Sequence, residues 1–328
     1  MNVESVRSPV LPEIIDTAIV GAGPAGLSAA LFLARAGRSV VAFDGGPSRI
    51  MSVERVREYI GYDAMSPREM LDRMRGEAIR YGAQIQAETV QVITPRPDGV
   101  FEVHTPNGSI TARSVVLATG LTDELPNITG LSKTWGNDLR VCPCFDGYEV
   151  RDRRFVVFGV PERLAHLGAW VSTWSSQVTV ITGAELDEAG LEKLRLLGIP
   201  VIHDEVSGVL HRDGRLVAVT TASGRQVEAA AAWVAMKWRA TSDLAASLCE
   251  VDDVGLAKVD PNGKTTRPGV FAVGNAANPI AHLAHATAEG TNVAPTSRTI
   301  SWRSKFRHFG HIRNTESDLP VSVPSTPD

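Results

Sequence analysis

Cys142, Pro143 and Cys144 place two thiols one residue apart in "RVCPCFDGYEVRD", residues 140–152. In a reducing compartment, thiols this close either exchange electrons or bind metal. A disulfide across one residue requires the chain to fold back at Pro143 until the two Cα atoms reach bridging range. A metal requires two further ligands. Cys249 is distant and the histidines are dispersed along the chain, so no metal is expected. Cys249, alone in "AASLCEVDD", reads as a small buried hydrophobe. His282 and His285 in "NPIAHLAHATAEG" stand three apart, on one face of an expected helix. An imidazole there can take a thiol proton or stabilise an anion. The alternative is two histidines satisfied in a subunit interface, which is the expectation for His285.

A second group of residues points to a nucleotide. In "DTAIVGAGPAGLSAALFLARAGRSVVAFD", a strand over 18–20 runs into Gly21, Gly23, Pro24, Ala25 and Gly26, then a helix rich in alanine and leucine. A second strand over 39–43 ends in Asp44. Gly21 permits the tight turn, Gly23 lets a pyrophosphate approach, and Gly26 lets helix and strand pack closely. The helix N-terminus offers amides and positive potential to phosphates. Asp44 lies where a carboxylate holds ribose hydroxyls.

Two later strands end in short polar motifs. "SVVLATGLTDELP" carries Thr119 and Gly120, and "TRPGVFAVGNAANPIAHLAHATAEGTNVA" carries Gly274 and Asn275 before a small-residue helix. With these motifs the chain resembles the two-domain flavoprotein disulfide reductases of the thioredoxin-reductase-like group, from about residue 15 to about residue 300. That resemblance implies an α/β fold of two Rossmann-like three-layer domains, one for FAD and one of NAD(P) type inserted in its middle. It makes FAD the cofactor, held by the residues named above and by His282, with Asn275 in place of the usual Asp. "DGGPSRI", "ATGLTDELPNITGL", "CP..DGYEVRD" and "AVGNAANPIAH" resemble one branch in particular. These are the FAD-dependent dithiol oxidases that close disulfides in natural products such as gliotoxin, holomycin and romidepsin.

The resemblance also sharpens the question of the thiols. Anchored on Gly147, Tyr148 and Glu149, the family's Cys-x-x-Cys puts Cys142 in the first position and Phe145 in the second, flavin-facing one; Cys144 arrives one residue early. Asp146 follows, where thioredoxin reductases carry Asp and the oxidases often His. Cys142, Cys144, Asp146 and His282 are therefore the candidate catalytic residues. Three readings stay open: a Cys142–Cys144 relay, direct reaction of substrate at the flavin, and cysteines kept only for packing.

The inserted domain departs from the family pattern. In "RRFVVFGVPERLAHLGAWVSTWSSQVTVIT" the strands over 155–158 and 178–181 and the helix over 163–174 are expected, but Val160, Pro161, Glu162 and Arg163 follow Gly159. Proline has no amide for a phosphate, and Glu162 repels one. Loss of NADPH binding is expected. This favours a flavin reduced by a thiol substrate, either a small molecule or a carrier-bound intermediate, and reoxidised by O2. The alternatives are an NAD(P)H-dependent disulfide reductase and a non-catalytic flavin-binding partner.

The domain plan that follows is a flexible 1–13, an FAD domain over 14–123 and 246–312, an insert over 124–245, and a disordered tail over 313–328. A homodimer paired through the FAD domains is implied by the resemblance. The chain has 328 residues and a net charge of −4, which does not suggest a nucleic-acid partner. The basic run "SWRSKFRHFGHIR" reads as a solvated helix. No stretch reaches the ~18 apolar residues of a membrane helix. No signal core is present, so a cytoplasmic protein is expected.

Overall fold

The computed structural model describes residues 11–140 and 142–293. Its first sheet runs in the order Gln84–Gln86, Val40–Phe43, Ile14–Val20, Gly108–Leu117, Phe101–Thr105, Val92–Pro95, and Val270–Ala272 joins the edge of Gly108–Leu117 in parallel. The central strands are runs of aliphatic residues buried on both faces, as parallel strands covered by helices require. On one face lies the helix Pro24–Arg35, whose Ala25, Ala29, Ala30 and Leu33 let it sit close to the sheet. Pro24 at its first turn presets the helical φ where no amide partner is needed. On the other face Leu244, Ala245 and Leu248 pack with Ile15, Phe43 and Leu117.

The second sheet is wholly parallel, in the order Val201–His203, Val178–Thr182, Phe155–Gly159, Ala231–Ala235, Leu139–Arg140. The helix Pro161–Val171 covers one face through Leu164, Leu167 and Val171. An antiparallel sheet of Val206–Arg212, Arg215–Thr221 and Gln226–Glu228 covers the other through Val209, Leu216 and Val219. Trp233, fully buried, meets Phe155 edge-on at 4.5 Å between ring centres. The chain passes between the two sheets along a ribbon in which Leu121–Glu124 pairs antiparallel with Lys237–Ala240. The expected junction at residue 245 falls inside the helix Leu244–Leu248, which packs on the first sheet.

The fold is thus α/β with two Rossmann-like sheets. Some element bounds differ from expectation. The first strand begins at Ile14, and the helix of the second sheet spans Pro161–Val171. The late helix occupies 283–293, so His282 stands just before it rather than within it. The basic run and the tail lie outside the described residues. Among the described residues, no helix is long and apolar enough to cross a membrane.

Candidate active site

The nucleotide cradle is built as its glycines require. A Cβ on Gly26 would lie 1.9 Å from the carbonyl oxygen of Gly21, and one on Gly21 would lie 2.2 Å from that of Ala118. Both positions are therefore closed by backbone. Gly23 differs: a Cβ there would meet only the Ser48 hydroxyl, at 3.1 Å, so it would project into the open side of the turn. No side chain caps the helix that follows, which leaves its first amides for an anion. Asp44 follows the second strand and forms an ion pair with Arg75, which orients its carboxylate. Gly120 and Gly274 follow the strands Gly108–Leu117 and Val270–Ala272, which lie side by side. These features fit an FAD whose pyrophosphate lies over Gly23.

Asn275 has a role that its motif did not reveal. Its Nδ2 donates to the carbonyls of Asn278 at 2.9 Å and Ala281 at 3.2 Å, and its Oδ1 faces Arg49 Nη1 at 3.4 Å. These contacts shape the turn ahead of His282. A carboxylate cannot donate to those carbonyls, which accounts for Asn where relatives carry Asp. Glu289 closes the same turn by accepting from the Gly274 amide and from Asn278 Nδ2. Asn275→Asp is expected to lower stability by about 1 kcal/mol, the cost of losing hydrogen bonds to part-buried carbonyls. The measurement is denaturant unfolding beside an Asn275→Ser control, and equal stability of the Asp variant and the native chain would contradict this role.

The turn delivers His282 to the cysteines. The Cys142 and Cys144 sulfurs lie 2.8 Å apart, so the one-residue spacer does bring them together at the start of the short helix Pro143–Asp146. His282 Nε2 lies 3.9 Å from Cys144 Sγ, and His282 Nδ1 lies 3.1 Å from Glu58 Oε2. Sulfur, sulfur, imidazole and carboxylate thus form one continuous line. With both thiols protonated, Cys142 donates to Cys144. Once one proton is lost, the Cys144 S–H donates to the Cys142 thiolate. That hydrogen bond holds the Cys142 thiol below its ordinary range, against burial, and pushes Cys144 far up. Cys142 is therefore the first to ionise, and the remaining proton sits on the sulfur that faces the imidazole.

Glu58 carries no sequence motif and lies 224 residues from its histidine. Its backbone adopts φ 57°, a left-handed conformation uncommon outside glycine. Neighbouring contacts hold it there: Arg57 pairs with Asp63 and Glu149, and Tyr59 bonds the Thr287 hydroxyl at 3.3 Å. Arg49 lies in the "DGGPSRI" stretch, although it was not named as a site residue. It makes a two-pronged pair with Asp123, both bonds 2.7 Å.

The other expected site residues fall elsewhere. Asp146 faces Arg140 Nε at 3.1 Å rather than a cysteine or His282. Burial raises its pKa while Arg140 pulls it down. Its evident work is to hold the short helix against the second sheet. His285 is exposed, with its ring 5.9 Å from that of His282. Cys249 is partly buried against the first core and bonds the Ala245 carbonyl at 3.4 Å. Phe145's side chain lies outside the described residues. The expectation of no metal rested on dispersed histidines, and the fold corrects that premise. Cys142, Cys144 and His282 bring a ligand atom each to within 4.8 Å of one another.

In the second sheet, the turn after Gly159 has few amides to offer. The Val160 amide donates to the Ala235 carbonyl at 2.7 Å, Pro161 has none, and the Arg163 amide donates to the Val160 carbonyl at 3.2 Å. The Arg163 guanidinium donates to the Met236 carbonyl at 2.7 Å and stacks over Trp238 at 3.9 Å.

An FAD-type cradle, a second Rossmann-like sheet and a thiol pair beside an imidazole define a flavoprotein disulfide oxidoreductase. The chain belongs to the family described as pyridine nucleotide-disulphide oxidoreductase, whose model matches residues 15–290. FAD is its cofactor. Among curated relatives, the thioredoxin reductase of Mycolicibacterium smegmatis is 27% identical over 307 residues, 88% of this chain and 96% of that one. The thioredoxin reductase of Treponema pallidum is 34% identical over 171 residues, 51% of this chain and 55% of that one. Among solved structures, HlmI superposes with a TM-score of 0.88 at 31% identity, covering 92% of this chain and 97% of that one. A putative thioredoxin reductase TrxB of Bacillus anthracis superposes with a TM-score of 0.83 at 28% identity, covering 89% and 100%.

Proposed function

We propose that the chain is an FAD-dependent dithiol oxidase acting on a small or carrier-bound thiol of natural-product biosynthesis, in the cytoplasm. The observation that carries this reading is the continuous line from Cys142 through Cys144 and His282 to Glu58. Likeness to HlmI and the motifs shared with the dithiol oxidase branch support it.

The reaction begins with the cysteine pair as a disulfide. Glu58 accepts a hydrogen bond from Nδ1–H of His282, and in that tautomer Nε2 is the acceptor. Nε2 takes the proton of a substrate thiol, and the resulting thiolate attacks one cysteine sulfur and releases the other. The substrate's second thiol then attacks the mixed disulfide. The products are the substrate disulfide and the Cys142/Cys144 dithiol, so two electrons and two protons pass to the pair. Bound in its cradle, FAD supplies the two-electron acceptor that restores the disulfide, with dioxygen as the final oxidant yielding hydrogen peroxide.

The competing reading is an NAD(P)H-dependent disulfide reductase, which the names of the curated relatives favour. Against it stands the turn after Gly159, whose Val160 and Arg163 amides are engaged within the protein and whose Pro161 has none. One experiment separates the two. Under anaerobic conditions a small dithiol is expected to bleach the flavin, while NADH and NADPH leave it yellow. Bleaching by NADPH with none by dithiols would reverse the assignment.

A further inference from the structure

We infer that, in the reduced protein, Cys142, Cys144 and His282 form a three-ligand site for a zinc ion. Their ligand atoms already converge to within 4.8 Å. Two thiolates and one imidazole are a donor set zinc takes with an open fourth position. Zinc–sulfur bonds of ~2.3 Å and a zinc–nitrogen bond of ~2.0 Å at the tetrahedral angle need sulfurs about 3.8 Å apart and a sulfur–nitrogen separation of about 3.6 Å. The Cys144–His282 spacing of 3.9 Å is close to that value. The sulfur spacing of 2.8 Å must open by about 1 Å, which rotation of one half-buried cysteine side chain about χ1 provides.

The fold adds what a bare cluster lacks. Glu58 accepts from His282 Nδ1 at 3.1 Å, the outer-shell contact that fixes the tautomer and aims the Nε2 lone pair at a metal. The His282 and Glu58 side chains are 35% and 41% exposed, so an ion can enter. Binding releases two protons from the thiols and changes no oxidation state. The site exists only while the cysteines are reduced, because a disulfide has no thiolate to offer. Zinc would therefore cap the dithiol and halt turnover reversibly. The inference uses the residues of the proposed relay but not its chemistry, so the two fail separately.

The test uses the full-length, FAD-loaded protein, reduced anaerobically, freed of reductant and titrated with zinc sulfate against a chromophoric chelator. One zinc per reduced chain is expected, and none after diamide oxidation. Cys142→Ser and Cys144→Ser should each lose zinc by ~10²-fold or more, and Glu58→Gln by ~10- to 100-fold, the range seen for outer-shell partners. X-ray absorption at the zinc edge should show two sulfurs at ~2.3 Å and a nitrogen at ~2.0–2.1 Å. Retained FAD and an unchanged melting point show that the variants are folded. Zinc held equally by the serine variants, a shell of nitrogen and oxygen only, or no zinc held by the reduced native chain would each overturn the site. Flavin reduction by dithiol, followed on metal-free samples, reports on the proposed function independently.

Discussion

Cys142→Ser and Cys144→Ser are each expected to cut dithiol-driven flavin reduction by on the order of 10³-fold, with FAD still bound. Both sulfurs are needed to close the bridge, and they lie 2.8 Å apart. His282→Ala should cost ~10²-fold, because it removes the group that accepts the substrate proton. Glu58→Gln should fall between His282→Ala and the native chain, since an amide still orients the ring but no longer stabilises its cation. Stopped-flow flavin absorbance under argon reads all four. If both serine variants kept most of their rate while His282→Ala lost it, the relay would be wrong and substrate would meet the flavin directly.

Gly26→Ala is expected to prevent folding, whereas Gly23→Ala should fold and bind FAD poorly. The two glycines are three residues apart and chemically identical, but their surroundings are opposite. At Gly26 an added methyl would collide with the Gly21 carbonyl at 1.9 Å, a backbone atom that the strand and turn hold in place. Overpacking of that kind costs upwards of about 3 kcal/mol and displaces the helix Pro24–Arg35 from its sheet. At Gly23 the nearest atom is the Ser48 hydroxyl, at 3.1 Å on a side chain that can turn away. The methyl then occupies the space where pyrophosphate lies. Circular dichroism and retained flavin absorbance distinguish the outcomes. A folded, yellow Gly26→Ala protein would contradict the packing argument, and a Gly23→Ala protein with native FAD affinity would contradict the cradle.

How much of this was legible in the sequence varied with the range of the interaction. The strand, turn and helix around Gly21, Gly23 and Gly26 were readable because every determinant lies within thirty residues and follows local rules of period and turn geometry. The departure from the glycine pattern after Gly159 was readable for the same reason. Glu58 was not, since a lone Glu in a loop carries no periodic signal and its partner is 224 residues away. Asn275 was singled out as a motif residue, but its contacts within the protein were not foreseen. Its amide is spent on carbonyls of its own turn, which only three-dimensional tracing of residues 278–281 reveals. Asp146 was a candidate because it follows the thiol pair where the resembled family carries Asp or His; in the fold it pairs with Arg140. His282 was singled out in the sequence, but its approach to Cys144 was hidden, because most of the 138 residues between them fold into a sheet of their own.

The strand Val270–Ala272 lies beside Gly108–Leu117 although some 150 residues separate them. During synthesis this fixes an order of events. When the ribosome has made the first six strands of that sheet, the flank of Gly108–Leu117 is still bare, and neither Asn275 nor His282 exists. The intervening sheet, complete by Ala235, has all its own strands and can fold while the first waits. Only when residues 270–293 emerge does the open edge close and the imidazole reach the cysteines. The sulfurs are thus made 138 residues before the imidazole that, in the proposed mechanism, takes the substrate's proton. The bare flank is the corresponding hazard, being an unpaired edge exposed for the time it takes to translate about 150 residues.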